Sequence, residues 1–207
     1  MSQALREAWR ALQNEPLAFV DPQCLEAALL GAQNAGQVAE LARQPRFQAR
    51  IEQLLVSFYG LQPLQAQSPA DADLPVLLLP VTRFRQLPTF CGACLHGASL
   101  AREIRGSRVQ QLRTQLGDEV YTLAVSWREA AVAKTNIVEG EALLAAIEQD
   151  GRACVEAWMA AQPAALQAWL QLRFDLAAPL SDGRAEHAEH VRRVAAELAA
   201  DERRGAA

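Results

Sequence analysis

The sequence predicts an all-α protein, an irregular multi-helix globular domain over residues 1–207 with about eight or nine helices and room for one short strand pair. Two observations lead to this prediction. Apolar residues recur at steps of three and four through most of the chain, which places them on one face of a helix. Proline and glycine separate these stretches, and no strands alternate with helices in the βαβ order of a nucleotide-binding fold.

The sequence pattern predicts several helices within residues 1–60, which form a candidate N-terminal lobe. The first helix covers residues 2–14, because a residue before proline, here Glu15, is disfavoured in helical geometry. Asp21 followed by a proline matches an N-cap and a first helical position. A later helix, ending at Gly60, carries the apolar stripe Phe47, Ile51, Leu54, Leu55 and Phe58.

The middle of the chain is harder to assign. Residues 61–74 contain prolines and little periodicity, so they are the candidate linker or exposed loop. Residues 75–84 fit a short strand or a buried helical turn, and we favour the helix. The next helix is expected to hold Pro88 in its first turn and to continue one apolar face as far as Ile104.

The C-terminal half predicts further helices with clear boundaries. Ser107 is the expected N-cap of one helix, and residues 139–147 form another. This helix is expected to end at Asp150-Gly151, and a separate helix is expected to begin after Gly151. Residues 171–176 alternate between polar and apolar, which fits a short strand. The last helix is expected over about residues 182–203.

Composition and charge argue against several classes of protein. The net charge of −4 argues against a protein that binds nucleic acid regardless of sequence. No apolar run approaches the roughly 20 residues that span a bilayer, and charged residues near the start argue against a secretion signal. Four cysteines do not form a dense disulfide framework. We therefore expect a cytoplasmic protein with reduced thiols, which neither binds nucleic acid nor inserts into the membrane.

Cys91, Cys94 and His96 form the most tempting chemical motif. Their spacing is that of a redox pair or half of a zinc site. However, no second ligand pair follows, and Cys24 and Cys154 complete a site only if folding brings them there. Free cysteine is often buried as a small apolar side chain. We therefore favour core packing and keep a thiol- or zinc-dependent protein as an alternative.

No catalytic constellation is visible in the sequence. It lacks phosphate-binding glycine loops, a nucleophile elbow and a His-Glu-x-x-His pair. His187 and His190 share a helical face that fits a metal, but a solvated charged helix explains this pattern better. We predict that the protein is not an enzyme and has no cofactor.

Three stretches of the sequence match a known pattern in order and spacing over about half the chain. They are Phe19, Pro22 and Leu25; Leu95-His96-Gly97 with Leu100, Arg102 and Leu112; and Ala157-Trp158, Pro163, Ala168-Trp169 and Leu170 to Phe174. In these stretches the chain resembles the SctK family, the accessory sorting-platform subunits of bacterial type III secretion injectisomes. The Cys91/Cys94 pair is not part of that family pattern.

The resemblance implies a non-enzymatic adaptor at the cytoplasmic face of the inner membrane. Such an adaptor connects the forkhead-associated-like cytoplasmic domain of the ring protein SctD to the pod protein SctQ. Through SctQ it reaches SctL and the SctN ATPase indirectly. A secretion chaperone is the alternative, although such chaperones are usually smaller or built from 34-residue repeats, and no such period appears here.

Individual residues receive roles on this interpretation. Leu95, His96, Gly97 and Trp169 are expected to be structural, with Gly97 permitting close helix packing. Arg102, Arg105, Arg108 and Trp158 are expected to contact a partner, because arginine and aromatic residues are enriched at binding hot spots.

Overall fold

A computed structural model of the chain describes residues 2–29, 40–129, 141–173 and 184–205. The regular elements in these ranges are all helical, so the all-α prediction is confirmed. They include eleven α-helices and three short 3-10 helices, more than the eight or nine predicted. No helix within the described ranges has both the length and the apolar character needed to cross a membrane.

The α-helices range from 4 to 21 residues, and the two longest lie in the second half of the chain. In order they are α1 Ser2–Asn14, α2 Pro22–Ala28, α3 Pro45–Tyr59, α4 Leu74–Leu77, α5 Val81–Leu95, α6 Gly97–Arg102, α7 Gly106–Leu116, α8 Asp118–Ser126, α9 Glu141–Ala160, α10 Ala164–Gln171 and α11 Ala185–Gly205. The 3-10 helices are Pro16–Phe19, Leu64–Ala66 and Asp71–Asp73.

The chain forms two compact units. Unit 1 comprises Met1–Arg85 and Gln162–Pro179, and unit 2 comprises Gln86–Ala161 and Leu180–Ala207. Helix α5 contributes its first residues to unit 1 and the rest to unit 2. The prediction of a single domain, with an N-terminal lobe over residues 1–60 and a loop over residues 61–74, stays a prediction.

Helix boundaries in unit 1 follow the local sequence signals. The Asp21 carboxylate accepts a hydrogen bond from the Gln23 backbone N–H at 2.9 Å, which confirms the predicted N-cap of α2. The same buried carboxylate pairs with Arg85. Helix α3 ends at Gly60, which has φ +64° and ψ 34°. That left-handed conformation is available to glycine without the strain that a Cβ would cause.

The segment 61–74 lies within unit 1, and part of it packs against α1. Leu64 is fully buried, and two of the 3-10 helices lie in this segment. The Gln13 side-chain amide on α1 donates to the Leu64 and Gln67 carbonyls, both at 2.9 Å. The Trp9 indole N–H also donates to the Gln67 carbonyl, at 3.4 Å. These bonds satisfy backbone groups that an irregular segment leaves unpaired.

Two predicted helix boundaries, in α5 and α9, are wrong. Helix α5 begins at Val81, directly after Pro80, so Pro88 lies inside the helix and not in its first turn. Helix α9 is continuous through Gly151, where an interruption was predicted. A Cβ added at Gly151 would lie 1.9 Å from the Pro88 carbonyl oxygen. This glycine therefore allows the backbones of two helices to touch, and it does not end a helix.

Three smaller predictions have different outcomes. Residues 75–84 are helical at both ends, as favoured, with a break before Val81. Helix α7 begins at Gly106 with Arg105 at the N-cap position, so Ser107 is not its cap. The strand predicted over residues 171–176 is not seen at its start, because Gln171 ends α10. Residues 174–176 lie outside the described ranges.

Candidate partner-binding surface

The Leu95-His96-Gly97 motif occupies the junction of two helices in unit 2. Leu95 is the last residue of α5, His96 is the N-cap of α6, and Gly97 is its first residue. His96 and Gly97 are buried, whereas Leu95 is half-buried. The expected single apolar face from Cys91 to Ile104 is therefore divided, because α5 ends at Leu95 and α6 runs only from Gly97 to Arg102.

His96 ties this junction to helix α9. Its Nε2 lies 2.8 Å from Oδ2 of Asp150, whose carboxylate is partly exposed while the imidazole is buried. With the proton on Nε2, the ring donates to the carboxylate, and a charged acceptor makes such a bond shorter and stronger than a neutral one. The contact uses the polar edge of His96 inside the unit.

Gly97 faces helix α8 at very short range. A Cβ at this position would lie 2.2 Å from the Ala124 carbonyl oxygen, a distance that real Cβ atoms do not show. Any other residue would push α6 away from α8. The geometry agrees with the structural role expected for His96 and Gly97.

Exposed arginine and apolar side chains lie where α6 ends and α7 begins, in residues 102–108, which we call the arginine loop. Ile104 is 90% exposed, and Phe58 in unit 1 is the other large apolar side chain exposed among the described residues. Arg102 and Arg105 are also exposed, and Arg108 is half-buried. Residues 103–105 are not helical, so they project between α6 and α7.

Only one of the three arginines is neutralised by a carboxylate. Glu103 accepts hydrogen bonds from Arg105 Nε at 2.8 Å, from Nη2 at 2.6 Å and from the Arg105 backbone N–H at 3.0 Å. The side-chain bonds, followed by the backbone bond, lower the pKa of Glu103 to about 2. No described carboxylate lies within ion-pair distance of Arg102 or Arg108.

Arg108 is held only partly. One terminal nitrogen donates to the Gln111 side-chain oxygen at 2.5 Å, and the other, Nη2, is buried without a hydrogen-bond partner. The arginine loop therefore presents an exposed branched apolar side chain flanked by two cations that lack carboxylate partners. Such a surface suits an apolar pocket with an acidic rim on another protein.

The two predicted tryptophans do not reach the surface. Trp158 and Trp169 both have none of their surface exposed. The Trp169 indole N–H donates to the Gln62 carbonyl at 2.8 Å, which agrees with its expected structural role. Because Trp158 is enclosed by unit 2, we withdraw it as a partner contact.

The sequence predicted Ile104 on an apolar helical face and did not single out Trp127. Charged residues flank each of them: Arg102, Glu103 and Arg105 around Ile104, and Arg128 and Glu129 after Trp127. Trp127 is half-buried at the C-terminal end of α8. An apolar residue bordered by charges at a helix end was the available signal.

Three of the four cysteines are packed inside unit 2, whereas Cys24 lies in unit 1 and is half-buried. Cys91, Cys94 and Cys154 are fully buried, and burial raises the pKa of Cys91 well above its usual value and that of Cys94 to about 12. A thiol with a raised pKa is a poor nucleophile and a poor metal ligand at neutral pH. No group of histidine, cysteine and acidic side chains suited to a metal ion occurs among the described residues, His187 and His190 included. The thiol or zinc alternative therefore receives no support.

Comparisons with known proteins find limited similarity. No family model matches the chain, and no solved structure matches it. The chain is 25% identical over 183 residues to "Nodulation protein NolU" of Rhizobium fredii, and equally to the protein of that name in Sinorhizobium fredii (strain NBRC 101917 / NGR234). Each alignment covers 84% of this chain and 79% of the relative. The chain is thus distantly similar to these nodulation proteins over most of its length.

Proposed function

We propose that this protein is a non-enzymatic adaptor of a type III secretion sorting platform, acting at the cytoplasmic face of the inner membrane. It would connect the SctD cytoplasmic domain to SctQ and, through SctQ, to SctL and the SctN ATPase. The observation that carries the proposal is the arginine loop, where Ile104 is 90% exposed and where Arg102 and Arg108 have no described carboxylate within ion-pair distance. The resemblance of the sequence to SctK proteins supplies the identity of the partners.

Further features support the proposal. The buried thiols and the absence of a metal-ligand group among the described residues point away from thiol or metal chemistry. The distant similarity to rhizobial nodulation proteins is compatible with a role in the encounter of a bacterium with its host. Exposed large apolar side chains that are rimmed by charge are typical of protein-binding surfaces.

The first test is binding to the proposed partners. The SctD cytoplasmic domain and SctQ from the same genome are purified and mixed with the full chain, and complexes are measured by size-exclusion light scattering and titration calorimetry. We expect a stable complex with at least one of them. Absence of binding to both, at concentrations well above those in the cell, contradicts the adaptor function. A complex with a secreted substrate instead indicates a chaperone.

The arginine loop is tested with a matched pair of variants. Ile104→Asp replaces an exposed apolar anchor by a charge that repels an acidic rim, and we expect about tenfold weaker binding or more. Phe58→Asp makes the same kind of change at the other exposed apolar side chain, in unit 1. Equal affinity of Ile104→Asp and the wild type for every partner excludes the loop as the binding surface.

A further inference from the structure

A second surface of unit 2 combines tryptophan and arginine, and we call it the Trp127 patch: Trp127, Arg128, His190 and Arg193. It lies where the C-terminal end of α8 meets α11. Trp127 is half-buried, whereas Trp9, Trp158 and Trp169 are buried. It is therefore the tryptophan of this chain that offers its ring to a partner.

The indole is held firmly from beneath. The buried His190 ring meets it edge to face, with centroids 5.5 Å apart and an interplanar angle of 88°. His190 Nε2 lies 2.9 Å from the Cys91 carbonyl oxygen and donates to it, which fixes the imidazole against α5. A side chain already fixed in one position loses little entropy when a partner binds.

The top of the patch offers donors without acceptors. The Arg193 guanidinium lies over the indole, 4.9 Å from the ring centroid, and no described carboxylate lies within ion-pair distance of it. The Trp127 indole N–H likewise has no acceptor among the described residues. Arg128 is exposed and forms an ion pair with the exposed Glu129 at 4.0 Å. The surface therefore combines two arginines, of which Arg193 has no described carboxylate partner, with a polarisable ring.

The Trp127 patch and the arginine loop lie near opposite ends of the six-residue helix α6. A Cβ at Gly97, the first residue of α6, would lie 3.4 Å from the Arg128 backbone nitrogen. The patch thus adjoins the N-terminal end of α6, while the arginine loop begins at its C-terminal end. The residues of the two groups differ, so each group can be substituted without changing the other.

We infer that the Trp127 patch is a second partner-binding surface, and that it binds an acidic segment of a protein partner. A carboxylate of that segment accepts hydrogen bonds from Arg193 and from the Trp127 indole N–H, and its apolar stem packs on the ring. Tryptophan and arginine are the residues most enriched at binding hot spots. This inference rests on the proposed function, since it assigns the second of the two surfaces that an adaptor requires.

The environment of Trp127 is tested in the free protein by fluorescence quenching. We expect iodide to quench a fraction of the emission that caesium quenches much less, because Arg128 and Arg193 attract the anion and repel the cation. Trp127→Phe should remove that fraction, and Arg193→Glu should reverse the preference between the two ions. Equal quenching by iodide and caesium, or a fraction that survives in Trp127→Phe, overturns the assigned surface.

Binding is tested with the same SctD and SctQ proteins. Arg193→Glu should weaken the complex with one partner about tenfold or more and leave the complex with the second partner unchanged. Ile104→Asp should weaken the complex with that second partner. Arg184→Glu is the control, because it makes the same charge change at an exposed position near the start of the same helix. Trp127→Phe keeps an aromatic ring, although a smaller one, and removes the N–H, so it should give an intermediate loss in a folded protein.

The outcomes separate this inference from the proposed function. If the wild type forms both complexes and the Arg193 and Trp127 variants bind both partners normally, the patch is not a binding surface and the adaptor function stands. If Arg184→Glu weakens binding as much as Arg193→Glu, the effect is one of net charge, and the assignment of the patch is overturned. If the wild type binds neither protein, the proposed function and this inference both fail.

Discussion

Different kinds of contact stabilise the interior of each unit. In unit 1, short helices alternate with irregular segments, and side chains donate hydrogen bonds to the carbonyls that those segments leave unpaired. In unit 2, longer helices satisfy their own backbones, and glycines let them approach closely. The difference shows that the regularity of the backbone decides which side chains a core needs.

Arg173 shows the solution used in unit 1. It is only 2% exposed, yet no described carboxylate lies within ion-pair distance of it. Its guanidinium donates to the Leu77 carbonyl at 2.9 Å and to the Leu79 carbonyl, where α4 ends. The Phe19 and Phe84 rings each lie 4.4 Å from it. Carbonyl dipoles and aromatic faces therefore take the place of a counter-ion.

Glycine shows the solution used in unit 2. A Cβ at Gly92 would lie 1.8 Å from the Ile147 carbonyl oxygen, and one at Gly151 would lie 1.9 Å from the Pro88 carbonyl oxygen. Helices α5 and α9 thus touch backbone to backbone at two points. Such contacts fail when a single methyl group is added, because the atoms in the way are backbone atoms that cannot rotate aside.

The largest predicted effect breaks the packing of unit 2. Gly151→Ala should lower the free energy of unfolding by about 3 kcal/mol, because its methyl group collides with the Pro88 carbonyl and separates α5 from α9. Urea unfolding measures this loss. Gly106→Ala is the matched control, since nothing lies within 4 Å of its added Cβ. A similar loss in both variants would show that close packing is not the cause.

The next effect breaks the polar core of unit 1. Arg173→Met keeps much of the apolar stem but leaves the Leu77 and Leu79 carbonyls without their donor, which should cost about 2 kcal/mol. Hydrogen exchange of the backbone amides in unit 1 should accelerate accordingly. Arg102→Met, at an exposed position, should change stability by less than about 0.5 kcal/mol. An Arg173→Met protein as stable as the wild type would remove the structural role of the guanidinium.

A smaller effect separates backbone strain from steric collision. Gly60 has φ +64°, and no atom lies within 4 Å of a Cβ placed there. Gly60→Ala should therefore cost about 1 kcal/mol through the left-handed conformation alone. Gly60→Asn should cost less, because asparagine tolerates that conformation better. Equal losses for alanine in Gly60 and Gly151, measured by urea unfolding, would contradict the contrast between the two units.

The smallest effect concerns His190 and pH. Burial lowers the pKa of His190 below its usual value of 6.5; Arg193 and His187 lower it further, and the bond to the Cys91 carbonyl opposes them. The unfolded chain therefore binds this proton more readily than the folded one, so stability is lost as pH falls below about 6.5. His190→Gln, which keeps an N–H donor, should lose less stability than the wild type between pH 7 and pH 5. Thermal unfolding at both pH values measures the difference, and parallel losses would contradict it.

Much of the fold could be predicted from periodicity and local signals. The N-cap at Asp21, the helix end at Gly60 and the helical character of the chain all depend on residues within one or two turns of each other. The continuity of α9 through Gly151 could not be predicted in this way. A glycine stands inside this helix because the Pro88 carbonyl, more than sixty residues earlier in the chain, leaves no room for a Cβ.

The candidate surfaces could likewise be predicted from the sequence only in part. The arginines of residues 102–108 are visible in the sequence as polar partner contacts, but the exposure of Ile104 depends on the end of α6 at Arg102. Trp158 and Trp127 both lie on apolar stripes of helical periodicity, yet the first is buried and the second half-buried. The charged residues after Trp127 are the one local signal of that difference.

The sequence by itself determined an all-α chain, the N-cap at Asp21, the helix end at Gly60 and the absence of a recognisable catalytic motif, because these depend on neighbouring residues and on composition. Only the tertiary structure decided which glycines join helices, which arginine is buried on carbonyls and which apolar side chains face solvent. Those outcomes depend on the distance between atoms far apart in the chain, and periodicity carries no record of that distance.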